Sequence, residues 1–136
     1  MYMNNILLIS LIGHIITLYL YKKSVDSNDK KILLFMILGQ ILCFYGYYSK
    51  NNKIIELSHI IFFISIILGS LFLKEKNNKL YVLIVLIANV ISRIMFNDCL
   101  FNIVNKNTKL INLNLPHGLI YNVLLIVIIY RILNSN

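Results

Sequence analysis

The chain has 136 residues, of which 59% are hydrophobic and 13% charged, and its mean hydropathy is +0.78. Soluble domains hold about 45–50% apolar residues, so composition argues against a soluble domain. About 20 consecutive apolar residues cross a bilayer, which leaves room for four or five spans and no separate soluble domain. The expected fold class is therefore all-α: a polytopic transmembrane helical bundle of about five spans, forming a single integral membrane domain over residues 1–136, with four spans as the alternative.

The first apolar run, Asn5 to Tyr21, lacks a basic segment before it and a small-residue cleavage site ahead of Lys22 and Lys23, so it reads as a retained span rather than a signal peptide. The second, Ile32 to Tyr48, is near the lower length limit for a span, with Tyr45, Tyr47 and Tyr48 as interfacial anchors. Ile54 to Leu73 forms the third and Leu80 to Phe96 the fourth, each bounded by Lys or Asn clusters. The longest connection, Asn97 to Pro116, offers Asp98 as a cap for a short interfacial segment through Cys99, Leu100, Phe101, Ile103 and Val104. Pro116 suits a first helical turn, since it has no amide hydrogen to leave unpaired. The fifth span then runs from His117 to Leu133. No internal repeat or low-complexity segment stands out.

The net charge of +8 would suggest nucleic acid in a soluble protein, but here the lysines fall in short connections between apolar runs, where they set topology. Nucleic acid is not an expected partner. With the N-terminus outside, the cytoplasmic side holds Lys22, Lys23, Lys30, Lys31, Lys74, Lys76, Lys79 and Arg131, and the outside only Lys50, Lys53, Lys106 and Lys109. The expected orientation is N-terminus non-cytoplasmic and C-terminus cytoplasmic.

Threaded in this order, the polar residues within spans are expected to gather in the outer half. His14 is assigned to the outer part of the first span, Gln40 and Cys43 to the middle and outer part of the second, and Glu56 and His59 to the outer start of the third. Asn89 and Arg93 approach the outer end of the fourth, Asp98 follows it, and His117 and Tyr121 open the fifth. Residues three or four apart share a helix face, which aligns Ser10, His14, Thr17 and Tyr21 on one stripe and Gln40, Cys43 and Tyr47 on another. Ionisable side chains are costly in lipid and turn toward a bundle interior.

These nine residues, His14, Gln40, Glu56, His59, Asn89, Arg93, Asp98, His117 and Tyr121, are the candidate pocket. Glu56 is the expected ion-pair partner of Arg93, with Asp98 second. The histidines lack any spacing that would place two metal ligands on one helix face, so no metal or other cofactor is expected. Cys43 and Cys99 show no CxxC spacing and would pair only if their side is oxidising. The leading reading is a small protein that binds or transports a polar molecule or a lipid headgroup in this pocket. The rivals are a structural or assembly component, and a membrane enzyme using Glu56, His59 or His117 as acid or base. The expected partners are the lipid bilayer, a lipid or small polar ligand, and a second copy of the chain.

Overall fold

The computed structural model describes residues 2–96 and 117–134. They form five α-helices and no strand: α1 (Tyr2–Lys23), α2 (Ser27–Tyr48), α3 (Asn52–Phe72), α4 (Lys76–Phe96) and α5 (His117–Leu133). All five apolar runs of the sequence are helical. Of the five helices, α2 and α3 are long and apolar enough to cross a membrane by length and hydropathy. The expected interfacial segment from Asp98 to Val104 and the lead-in at Pro116 lie outside the described residues.

Helices α2 and α3 begin earlier than their apolar runs because polar residues cap them. The Asp26 side chain accepts hydrogen bonds from the backbone N–H groups of Asn28 and Asp29, at 2.8 and 3.2 Å. This places the start of α2 at Ser27, five residues ahead of the apolar run. The turn between α2 and α3 is tighter still. Asn51 N–H donates to Gly46 O at 2.9 Å and Lys50 N–H to Tyr47 O at 3.3 Å, the paired bonds of a Schellman ending. Lys50 takes the left-handed backbone this ending requires, with φ 52°. Asn51 then caps α3, accepting from Lys53 N–H at 3.1 Å.

This turn lays α2 and α3 antiparallel in the most extensive helix contact of the fold. Small residues make the close approach possible. A Cβ on Gly39 would lie 3.3 Å from Phe62 N, and one on Gly46 would lie 3.0 Å from Ile55 N and 2.7 Å from Ile55 Cγ1. Ser58 and Ser65 face the same seam from α3, both buried, and both return their hydroxyls to their own helix. Helix α1 packs mainly on α2, while α5 packs on α3 and α4. The apolar core joins Leu33 and Met36 of α2, Ile66 and Leu73 of α3, Val82 and Leu86 of α4, and Leu124 and Ile128 of α5.

One end of the bundle carries a polar lock between the α1–α2 and α3–α4 connections. Glu75 Oε1 accepts from Ser24 Oγ at 2.9 Å and from the N–H groups of Val25 and Asp26 at 2.6 and 2.8 Å. In the other direction, the Asp29 carboxylate accepts from the N–H groups of Lys74 and Glu75 at 2.9 and 3.0 Å, and from Asn78 Nδ2 at 2.8 Å. In an ordinary capping box a carboxylate reaches back to the start of its own helix. Here the starts of α2 and α4 exchange carboxylates, each supplying the acceptor for the other's leading amides. Arg131 of α5 closes the same end by donating to Ser70 O and Leu73 O at 2.7 and 2.6 Å, which caps the carbonyl end of α3 with a cation.

Partial burial pushes the Glu75 carboxyl up, but the bonds from Asp26, Val25 and Ser24 outweigh it and leave its pKa lowered. The Asp26 carboxyl is lowered first by its bond from Lys74 and next by the backbone bond from Asp29. Lys74 Nζ lies 3.0 Å from Asp26 Oδ2.

Candidate functional site

Helices α1 and α4 meet only weakly, and between them lies a cavity of about 250 Å³. Gly13 and Ile16 of α1 face Tyr81, Val85 and Ala88 of α4 across it, with Gln40 and Cys43 of α2 and Phe62 of α3 forming its floor. Its walls are almost wholly apolar. Ile12, Ile16 and Ile84 on its rim are exposed on the outer surface of the bundle, so the cavity opens sideways.

A chain of buried and half-buried hydrogen bonds runs behind the wall formed by Gly13, Gln40 and Tyr81. His14 Nδ1 lies 2.9 Å from Gln40 Oε1, and Gln40 Nε2 donates to Thr17 Oγ1 at 3.1 Å. Thr17 Oγ1 donates to Gly13 O at 2.7 Å, and Tyr81 OH lies 2.8 Å from Thr17 Oγ1 and 3.1 Å from Gly13 O. The direction of the protons follows from the hydroxyl of Thr17. Its one hydrogen goes to Gly13 O or to Tyr81, whose own hydroxyl also donates to Gly13 O, while its lone pairs accept from Gln40 Nε2. The Gln40 oxygen therefore faces His14, and His14 donates from Nδ1. The His14 ring also stands edge-on to Phe44, with centroids 5.8 Å apart.

The structure brings together two of the expected pocket residues, His14 and Gln40, and sets a third, Asn89, on the same cavity. The Asn89 amide donates to Val85 O at 2.9 Å. Glu56 and His59 are half-buried on α3 and interact with neighbours, but they do not line the cavity. Tyr121 is buried in the apolar core, edge-on to Phe63 at 5.6 Å. The side chains of Arg93 and His117, and all of Asp98 and Cys99, lie outside the described residues, and with them the expected Glu56–Arg93 pair. Cys43 is a free, buried thiol. The buried Tyr47 hydroxyl has no hydrogen-bond partner among the described residues. No group of three or more His, Cys, Asp or Glu among those residues could hold a metal ion.

The depth of the polar chain differs from the sequence expectation. Helix α1 spans 22 residues from Tyr2, which puts His14 near its midpoint, level with Gln40 near the midpoint of α2. Thr17 and Tyr81 then continue toward the lysine-rich end. His14 and Gln40 thus belong to a central chain rather than a cluster at the opposite end.

Sequence reasoning placed Thr17 on the His14 stripe without giving it a role, and it passed over Tyr81. The available signal was position: Tyr81 stands inside an apolar run, where a phenolic hydroxyl needs a partner. No protein-family model, curated protein or solved structure matches this chain.

Proposed function

We propose that the chain is a five-span integral membrane protein whose central cavity receives the end of a lipid-like ligand entering sideways between α1 and α4. Support for the membrane reading comes from the outward faces of the helices. Ile15 is 58% exposed, Leu34 52%, Ile84 64% and Ile126 68%, and apolar side chains cover the outside of all five helices. A monomeric soluble protein rarely exposes contiguous apolar surface beyond a few hundred Å². The lysine-rich end, with the two locked connections and Arg131, faces the cytoplasm on this reading, as the excess of basic residues there favours.

The single observation that carries the ligand reading is the cavity itself: walls almost wholly apolar, Gln40 and Tyr81 among the few polar groups that reach them, and a mouth where acyl chains would lie. A small polar solute would find few partners in it. An amphipathic molecule finds both kinds of surface. Many pockets for whole small molecules measure about 300–1,000 Å³, so 250 Å³ suits the end of a chain whose remainder trails into the bilayer.

The test uses the protein in lipid nanodiscs with a diazirine-bearing alkyl probe. Illumination should crosslink the probe to peptides carrying Gly13, Cys43 and Val85, and Ala88→Phe, which fills the mouth, should reduce that labelling about tenfold. Labelling spread evenly over the outward faces and unchanged by Ala88→Phe would overturn the proposal.

A further inference from the structure

The hydrogen-bond chain does more than satisfy itself. Once its protons are assigned, Gln40 retains a second amide N–H and Tyr81 retains oxygen lone pairs. Both groups border the notch left by Gly13, where a Cβ would stand 3.6 Å from Tyr81 OH and 4.0 Å from Gln40 Nε2. The notch thus presents one donor and one acceptor at the closed side of an apolar cavity.

We propose that the Gly13 notch is the head-group subsite of this cavity and selects a neutral hydroxyl, so that the ligand is an alcohol-ended lipid chain; this rests on the lipid-binding reading above. A hydroxyl accepts from the Gln40 amide and donates to the Tyr81 oxygen at once. A hydrocarbon end does neither. A carboxylate or phosphate lacks the donor, and none of the described residues lining the cavity carries a charge to balance it. Depth acts in the same direction. His14 and Gln40 sit near the middle of their helices, where a charged group is far more costly in a bilayer than a neutral one.

The experiment is competition against the diazirine probe in nanodiscs by four twelve-carbon compounds: 1-dodecanol, dodecane, dodecanoate and dodecyl phosphate. One hydrogen-bonding partner is worth roughly a factor of ten in affinity. Dodecanol should therefore halve cavity labelling at about one tenth of the bilayer mole fraction that dodecane needs, with the two anions weaker than dodecanol. Tyr81→Phe and Gln40→Leu should each erase most of the preference for dodecanol while dodecane still competes. That residual competition shows that a variant retains its fold and its cavity. Equal potency of dodecanol and dodecane in the unaltered protein overturns the hydroxyl subsite alone. Strongest competition by dodecanoate or dodecyl phosphate also overturns it and assigns the cavity to an anionic head. If none of the four competes, the lipid-binding reading itself fails.

Discussion

The lysine-rich end and the middle of the bundle both bury polar side chains, and they satisfy them in opposite ways. At the end, Asp29 is fully buried, and its two oxygens accept three bonds, all from the chain itself. In the middle, Gln40 and Tyr81 are nearly as buried, yet each keeps hydrogen-bonding capacity beside an open volume. A buried polar group must find a partner. Where the chain supplies all of them the result is a fastening, and where it leaves room the result is a place for something else.

The largest expected effect comes from breaking the fastening. Asp29→Ala leaves the Lys74 and Glu75 amides without their acceptor, and takes from Asn78 Nδ2 the shortest of its bonds while leaving those to Ser24 Oγ and Glu75 Oε2, at a site closed to solvent. Stranded buried donors are costly, and the substitution should destabilise the protein by roughly 3–5 kcal/mol. Unfolding by SDS titration, followed through helicity, measures this. A loss below about 1 kcal/mol would show that water replaces the carboxylate and that the end is no more closed than the cavity.

Acid provides the next comparison. Asp26 and Glu75 both have lowered pKa values in the folded protein, from ordinary values of 3.8 and 4.5. A depressed carboxylate contributes stability that is fully present above its unfolded pKa and is lost as the pH falls through the folded one. The protein should hold its stability down to about pH 4.5 and lose it progressively in more acidic solution. Glu75→Gln keeps an acceptor for the three donors but removes the charge, so it should cost about 1 kcal/mol at neutral pH and flatten the acid limb. Thermal melts of both proteins between pH 3 and pH 7, read by circular dichroism, make the comparison. Parallel curves would exclude Glu75 as a source of the acid sensitivity. Gln40, Thr17 and Tyr81 of the central hydrogen-bond chain carry no carboxyl and have no such dependence to offer in this range.

How far each region was legible in the sequence follows from the same contrast. The five helices were readable because an apolar run long enough to span a bilayer has few other uses. Their starts were not, because hydropathy marks where Ile32 or Ile54 begins the apolar stretch, whereas the helix begins just after the residue that caps it. His14, Gln40 and Asn89 were visible as polar residues within apolar runs, but Tyr81 was masked by its aromatic ring. The lock was hidden for another reason. Read linearly, Asp26, Asp29 and Glu75 are charges in lysine-rich connections, and only the folded chain sets Asp26-Ser27-Asn28-Asp29-Lys30 beside the similar Glu75-Lys76-Asn77-Asn78-Lys79. That local likeness is too short to register as a repeat before the two connections are seen to exchange bonds.

The smallest expected effect has the opposite sign and separates the two regions most cleanly. Gly13 lies inside α1, where glycine destabilises a helix by roughly 0.5–1 kcal/mol relative to alanine. A Cβ there would meet its nearest neighbours at ordinary contact distances, 3.6 Å from Tyr81 OH and 4.0 Å from Gln40 Nε2. Gly13→Ala should therefore raise stability by about 0.5–1 kcal/mol, with no compensating clash. The same methyl group occupies the notch and should weaken retention of the dodecanol competitor several-fold. An element kept only for packing has no reason to forgo that stability, whereas a binding notch does, since function commonly opposes stability where a site needs open space. Measured together by SDS titration and probe competition, a gain in stability with a loss of dodecanol binding marks the notch as a site. A gain in stability with dodecanol binding intact would reduce the cavity to a packing defect beside a self-sufficient hydrogen-bond chain.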